Sequence, residues 1–567
     1  MIKPPSWNQW RNLISVLSKK ERYFILALLI LATASLLFWL ISYNLKNTIV
    51  VPNYGGSFKE GIVGNPQYLN PVLGQFNDAD RDVIELIFSG LMKYNSQGEL
   101  VPDLVEKYAV GDEGKTYDFF LKRDIKWHNG QPLTADDVVF TIQTIQNPEY
   151  RSPLRINWTG VEVEKIDDWT VRFKLKTPYA PFLANTTIGI IAKHIWEKVL
   201  PENFSLALEN LSPIGTGPYE FKKLKKDKES FVEYIELEAF GEYGKNRPFI
   251  EKIELYFYPD GESLIRAYNK AILDNISLNS VKSKSSLRIF RKTEIRRLNL
   301  PRYFAVFFNQ SKSKALSDKT VRLALNYATN KEEIINQVLE GEGKPTNSPI
   351  PAGIWGHTDE TKIYDFALEH ANNILEAAGW IDEDEDGIRQ KKEDKLEIEL
   401  VTTELKELQQ VANILQEQWS KIGAKVNVKI LNIGQIQQEY IRPREYQALL
   451  FGEVLGLDPD PYSFWHSSQK KDPGLNLALY DNKKVDDLLK EGRQILDKDT
   501  RSAKYKEFQQ QVIEDVPVVF LYSTYHLYVI NKKIKGIAAE NISLPSKRFV
   551  EIDKWYIKTQ RVKKQGN

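Results

Sequence analysis

Residues 23–43 form one uninterrupted run of 21 uncharged, mostly apolar positions, and no comparable run follows. As a helix rising about 1.5 Å per residue it is about 30 Å long, the thickness of a bilayer's hydrocarbon core. Beyond it the pattern changes. Apolar and polar positions alternate at 116–122, 161–166, 170–176, 231–238 and 251–258, which predicts half-buried strands. Helical spacing predicts helices at 318–328, 331–340, 364–378, 404–421, 484–496 and 501–514. Strands interleave with them at 302–308, 396–402, 425–431, 447–451 and 517–530. Thr134, with Asp137 three positions on and an apolar run behind it, reads as a capping box that starts a helix. This alternation predicts mixed α/β lobes, and the length predicts more than one of them.

The apolar run has a direction. Lys3, Arg11, Lys19, Lys20 and Arg22 precede it, whereas only Lys46 follows closely. Lys and Arg are retained on the cytoplasmic side, so residues 1–22 are expected inside, 23–43 across the membrane and the body outside. The run exceeds the apolar core of a cleaved signal peptide, and no A-x-A-like site follows, which favours an uncleaved anchor with a linker at 44–54. The alternative is a long signal peptide cut at an unusual site. The basic C-terminal end, 558–567, reads as a solvated tail.

Composition narrows the chemistry. Lys and Arg number 77 against 76 Asp and Glu, a balance that argues against nucleic-acid binding. Cysteine is absent, which excludes disulfides, thiolate metal sites, a cysteine nucleophile and a lipid-modified cysteine. There is no G-x-S-x-G, H-E-x-x-H or Walker A run, and none of the six His has paired-ligand spacing. A glycosidase-like carboxylate pair stays open on sequence alone. The 12 Trp and 27 Tyr are mostly core, yet such an excess also suits an aromatic-lined cleft. Residues 382–393 fit D-x-D-x-D-G-x5-E, with Asp382, Asp384, Asp386 and Glu393 at calcium-ligand positions and Gly387 at the sharp turn. A strand is predicted after this loop rather than a second helix. It therefore reads either as a structural Ca2+ site or as a solvated acidic loop.

Several ordered motifs carry a family resemblance. They are Gly56-Ser57-Phe58, Asn70-Pro71, Pro102-Asp103-Leu104-Val105, YDFFLKRDIKWHNGQPLTADDVVFTI (117–142), Gly215-Thr216-Gly217-Pro218-Tyr219, the stretch 307–343, Asp458-Pro459-Asp460 and PVVFLYSTYHLYV (517–529). Together they resemble the bacterial extracellular solute-binding proteins of the oligopeptide/dipeptide/nickel group, family 5, over roughly residues 54–555. The resemblance implies an α/β, two-lobed periplasmic-binding-protein-like fold of class II type with an extra subdomain. Carried over, lobe I would be 55–75, 201–295 and 515–560, the extra subdomain 76–200 and lobe II 296–514. It implies a monomer without enzymatic activity. That monomer would capture a peptide or similar solute between its lobes and deliver it to an ABC permease with ATPase subunits. No cofactor is required.

The resemblance also points to 452–466 (GEVLGLDPDPYSFWH) as the pocket. Peptide-binding members place an Asp three positions before the Asp-Pro to pair with the peptide's α-amine. Here that position is Leu455, so the expected ammonium partner is missing. Glu453, Asp458 or Asp460 could substitute, although the two Asp also read as turn residues. Tyr462, Phe464 and Trp465 read as core or cleft, and Thr216 as a cleft candidate. His128, before an Asn-Gly turn, reads as structural. His466, beside the pocket segment, keeps a nickel-type ligand open. The competing readings are a surface receptor or chaperone-like binding protein without a permease and, further off, an extracellular hydrolase.

Overall fold

A computed structural model describes residues 6–7, 17–243, 247–278 and 280–564. Lys3 and Arg11 of the basic N-terminal segment lie outside the described residues. Helix α1, Lys19–Asn47, is capped by Ser18 and Glu21, which bond reciprocally, and none of its residues is buried by the body. It is the one described helix long and apolar enough to cross a membrane. The segment expected as a linker is not free chain. Residues Thr48–Asn53 form strand β1, which leaves the helix directly.

In chain order there follow β2 (Ser57–Val63) and α2 (Asp78–Ile87). Strands β3 (Val105–Gly111) and β4 (Thr116–Leu121) lead to α3 (Ala135–Gln146), then β5 (Val161–Asp167) and β6 (Thr170–Leu175). These four strands form an antiparallel sheet in the order β3-β4-β6-β5. The capping box at Thr134 is present, its backbone N–H donating to Asp137 at 2.9 Å. Phe119, Trp158 and Phe173 of this region share one apolar cluster with Ile235 and Ile253, so it is packed onto the first half of the molecule.

The largest sheet has twelve strands. Its first half holds β2, β7 (Tyr219–Lys226), β8 (Val232–Ala239), β9 (Lys252–Tyr258), β10 (Asn275–Leu278) and β11 (Thr293–Asn299). Its second half holds β12 (Arg302–Phe308), β13 (Glu397–Thr403), α4 (Lys406–Ser420) on its face, β14 (Lys425–Leu431) and β15 (Ala448–Val454). After α5 (Lys498–Asp515), the 14-residue β16 (Val518–Asn531) runs through both halves. The order is β14-β13-β15-β12-β16-β10-β2-β9-β8-β7, with β11 and the short strand Gly343–Pro345 also on β16. Both faces of the second half are covered. Tyr303, Ala305 and Phe307 of β12 join one apolar cluster, and Val306 and Phe308 join another with Leu400 and Val411. That is why the central strands β12, β15 and β16 read as nearly continuous apolar runs.

The C-terminal end is also a strand. Residues Lys558–Lys563 form β17, which pairs antiparallel with β1 from Thr48 opposite Lys563 to Asn53 opposite Lys558. The expected solvated tail and the expected linker are therefore two sides of one ribbon. Neither strand carries a long apolar period of its own, and each is stabilised by the other's backbone bonds.

Candidate functional site

Strand directions locate the cleft. In the second half β13, β14 and β15 are parallel, and the end of β15, Val454, stands opposite the start of β12, Arg302. In the first half β2, β9 and β10 are parallel, and the end of β10, Leu278, stands opposite Leu527 in the middle of β16. The carboxyl ends of both parallel sets thus converge on the same level of β16. Ligands of open α/β sheets bind in the crevice outside strand carboxyl ends, where topology switches. The floor is the pair of crossing segments, β11–β12 through Leu300-Pro301 and the centre of β16. Phe304 stacks on Tyr522 there at 5.1 Å, and Arg302 donates to the Thr524 hydroxyl at 2.6 and 2.9 Å. Burial lowers the pKa of Arg302, opposed by Tyr522 and by Asp78 at the start of α2.

The second-half wall is apolar and open. Leu405, Ile433 and Val454, each just beyond or at the end of its strand, are 59%, 51% and 56% exposed. The loop that leaves β2 on the other half carries Phe76, 83% exposed. Such residues are costly to leave in water unless something covers them. Side-chain contacts join the halves beside the hinge: the Ser280 hydroxyl donates to Glu407 at the start of α4, and Glu342 accepts from Lys284 and from Arg297 of β11.

Of the residues singled out in the sequence, Glu453 is next to this wall but turned away from it. It is 3% exposed, receives the Tyr303 hydroxyl, and burial pushes its carboxyl up to about 8. Strand alternation explains the correction, because in β15 the outward position is Val454. Leu455 is buried too, its N–H given to the Pro301 carbonyl at 2.6 Å. Trp465 is closed into the core against Tyr480, Phe508 and Phe520 and does not face the cleft. Thr216 is likewise buried, in a turn pressed on α2, where a Cβ at Gly215 would meet the Ile87 carbonyl oxygen at 1.9 Å. His128 fixes that turn, accepting the Gly215 N–H on Nδ1 at 3.2 Å and donating from Nε2 to the Gly217 carbonyl at 3.1 Å. Burial lowers its pKa to about 4.

Asp458 and Asp460 are drawn into a seam between the second half and the four-stranded region. Asp458 pairs with Arg501 at 2.9 Å, and Arg501, 2% exposed, lies over the Trp355 ring at 4.3 Å. Burial raises the pKa of Asp458, opposed by Arg501. Asp460 pairs with Arg493 and accepts the Tyr179 hydroxyl at 3.2 Å. The Arg493 guanidinium lies between the rings of Tyr179 and Tyr462, at 5.1 and 4.1 Å, while its carbonyl accepts the Ala180 N–H. A cavity of about 610 Å3 lies in the same seam, lined by Tyr94, Tyr117, Trp355, Leu457, Asp458 and Arg501 among others. These arginines follow the acids by 33 and 43 residues, and no short motif announces them.

The calcium-type loop is partly assembled. Asp382, Asp384 and Asp386 bring carboxylate oxygens within 4.8 Å of one another, the only such group of three among the described residues. Lys395 donates to Asp384 at 3.1 Å and to Asp386, so an ammonium already faces the cluster. Glu393 stands apart, exposed in the turn between the short strands Gln390–Lys391 and Asp394–Lys395. His466 stacks on Tyr462 at 4.1 Å and bonds Ser468, outside any such group.

Comparison with known proteins agrees with this architecture. The family described as bacterial extracellular solute-binding proteins, family 5 Middle, matches residues 99–475. The oligopeptide-binding protein AppA of Bacillus subtilis is 29% identical over 523 residues, 90% of this chain and 93% of that protein. The dipeptide-binding protein of Escherichia coli is 27% identical over 512 residues, 84% and 91% of the two chains. Among solved structures, Bacillus subtilis AppA in complex with a nonapeptide superposes with a TM-score of 0.69, covering 90% of this chain and all of that one (100%). NikZ of Campylobacter jejuni in complex with Ni(L-His) is 28% identical, with a TM-score of 0.70 over 88% of this chain and 99% of its own.

Proposed function

The chain belongs to the bacterial extracellular solute-binding proteins of family 5, and on that footing we propose that it captures peptides in the cleft and hands them to an ABC permease while held at the membrane by α1. The observation that carries the reading is the convergence of both sets of strand carboxyl ends on a hinge of two crossing segments, with apolar residues left exposed there. Closure about that hinge would bring the two walls together and desolvate the bonds to the ligand. The relatives named for oligopeptides and dipeptides support peptides as the ligand class. The 21-residue uncharged run and the charge imbalance around it support an anchor with the body outside.

The cleft shapes the expected mode of binding. Leu455 offers no carboxylate, Glu453 points inward, and Asp458 and Asp460 are held by arginines. The peptide is therefore held through its main chain and apolar side chains rather than by its α-amine. A lost charge-assisted amine bond would cost about 1.5–3 kcal/mol, at least tenfold in Kd. Here N-acetylation of a bound peptide changes Kd by less than about threefold.

The test is direct. Ligand released from the purified full chain is identified by mass spectrometry, and thermal shifts are measured against a peptide library. Peptide in the released fraction, or a shift with library members, is expected. No peptide and no shift would refute the peptide reading. A tenfold loss on N-acetylation would refute the main-chain mode alone.

A further inference from the structure

The ribbon of β1 and β17 places positive charge where α1 leaves the bilayer. The apolar run ends at Tyr43, and Asn47, the last helical residue, lies about 6 Å further along the axis. The headgroup layer on each side of the hydrocarbon core is about 5–8 Å thick. Lys46 lies within that layer. The ladder continues onto the helix end, because the Lys564 N–H donates to the Asn47 carbonyl at 2.9 Å and Lys563 stands opposite Thr48. Arg561, opposite Val50, reaches back to donate to the Thr48 hydroxyl at 2.8 Å. Lys46, Arg561, Lys563 and Lys564 are all exposed, and no acidic residue occurs in 44–55 or 557–564. On the other ribbon face Ile49 stands opposite Val562 and is itself exposed.

We propose that this ribbon is a lipid-binding surface: its cations take the phosphate groups of anionic lipids in the leaflet from which α1 emerges, and so hold the body in a fixed attitude above the membrane. The proposal rests on the anchoring reading above. Two features favour lipid phosphate as the occupant. Lys46 and Lys564 sit at headgroup depth, with Lys563 and Arg561 just above it and Arg561 reaching back toward it, on an element continuous with the helix, and Lys and Arg suit phosphate by charge and by donor geometry. The chain order also matters. Basic residues directly after a membrane helix would oppose the orientation of the anchor, since topology is set by charges within about 15–20 residues of its ends. Of these four cations only Lys46 lies in that window, and β17 brings the others from the far C-terminal end of the chain after the body has crossed.

The chain has no cysteine, so Gln560→Cys on the exposed ribbon labels at one site. The labelled full chain is reconstituted in nanodiscs carrying acceptor-labelled phosphatidylglycerol or, separately, acceptor-labelled phosphatidylcholine at trace level. Energy transfer to phosphatidylglycerol is expected to exceed that to phosphatidylcholine by about fivefold, the enrichment one surface cation gives. High salt should erase the difference, as screening shortens the reach of surface charge. The triple variant R561Q/K563Q/K564Q, with unfolding temperature and peptide binding unchanged, should erase it too. Equal transfer to both lipids in the parent, or a preference that survives in the variant, overturns the proposal and leaves the anchor standing. Loss of the chain from the discs in an alkaline wash overturns the anchor and the lipid surface together.

Discussion

At the hinge the two halves share backbone, with β16 giving residues 518–522 to β12 of the second half and 525–531 to β11 of the first. At the seam the second half meets the four-stranded region mainly through side chains: Tyr179 reaches the Asp460–Arg493 pair, and Asp458, Arg501 and Trp355, all of the second half, lie beside it. A continuous ladder bends by distributing small dihedral changes and keeps its bonds. Charged hydrogen bonds act over a short range, so they either hold or release. The hinge therefore sets the axis of motion, and the seam sets how strongly one arrangement is preferred. A solute binder needs both, because release requires that the preference be modest.

The largest effect that could break this contrast is expected at Arg501. Replacing it with Ala leaves Asp458 buried without its cation, which costs about 3–5 kcal/mol. Denaturant unfolding of Arg501→Ala measures it, and a loss below about 1 kcal/mol would mean that the Asp458–Arg501 pair adds little beyond packing. Asp460→Asn is milder, since Arg493 is 28% exposed and keeps its two aromatic neighbours. It should leave the fold intact and speed peptide release about tenfold, equivalent to about 1.4 kcal/mol of lost closure. Stopped-flow dissociation reads this, and an unchanged rate removes the seam from the closing motion.

Glu453 tests the hinge wall through pH. Its folded pKa is about 8 against an ordinary 4.5, so between those values the folded state holds a proton that the unfolded state has lost. Its contribution to stability is complete below about 4.5 and falls as pH rises to about 8. Glu453→Gln should flatten the dependence of Tm on pH between about 5 and 8, and an equal slope in parent and variant would contradict the buried, neutral carboxyl. The smallest effect is expected at the Asp382–Asp386 loop, which belongs to neither region. Because Lys395 already donates to Asp384 and Asp386, calcium titration should evolve no heat, and Asp384→Ala should leave ligand binding unchanged. A binding isotherm in the parent that is lost in Asp384→Ala would make the loop a structural calcium site.

Much of the fold was legible in the sequence. The strand at 302–308 matches β12, 425–431 matches β14, and Thr134 caps α3 as its spacing predicted. The candidate site was less so. The acid at 453 invited a role in the pocket, but a period of two residues decides which side chain faces outward, and β15 assigns that place to Val454. The ribbon of β1 and β17 was hidden for another reason: short strands of mixed character look like linker and tail until their partners are known.

By itself the sequence determined the membrane-length helix and its charge asymmetry, the α/β alternation, the absence of thiol chemistry and the family of the body. These are local properties, written in periodicity, composition and contiguous motifs. Tertiary structure alone decided where the strand ends meet, which acids are spent on Arg493 and Arg501, and that the last strand returns to the foot of the first helix. Those facts depend on contacts between residues tens to hundreds of positions apart, whose partners are chosen by burial and backbone hydrogen bonding across the whole chain.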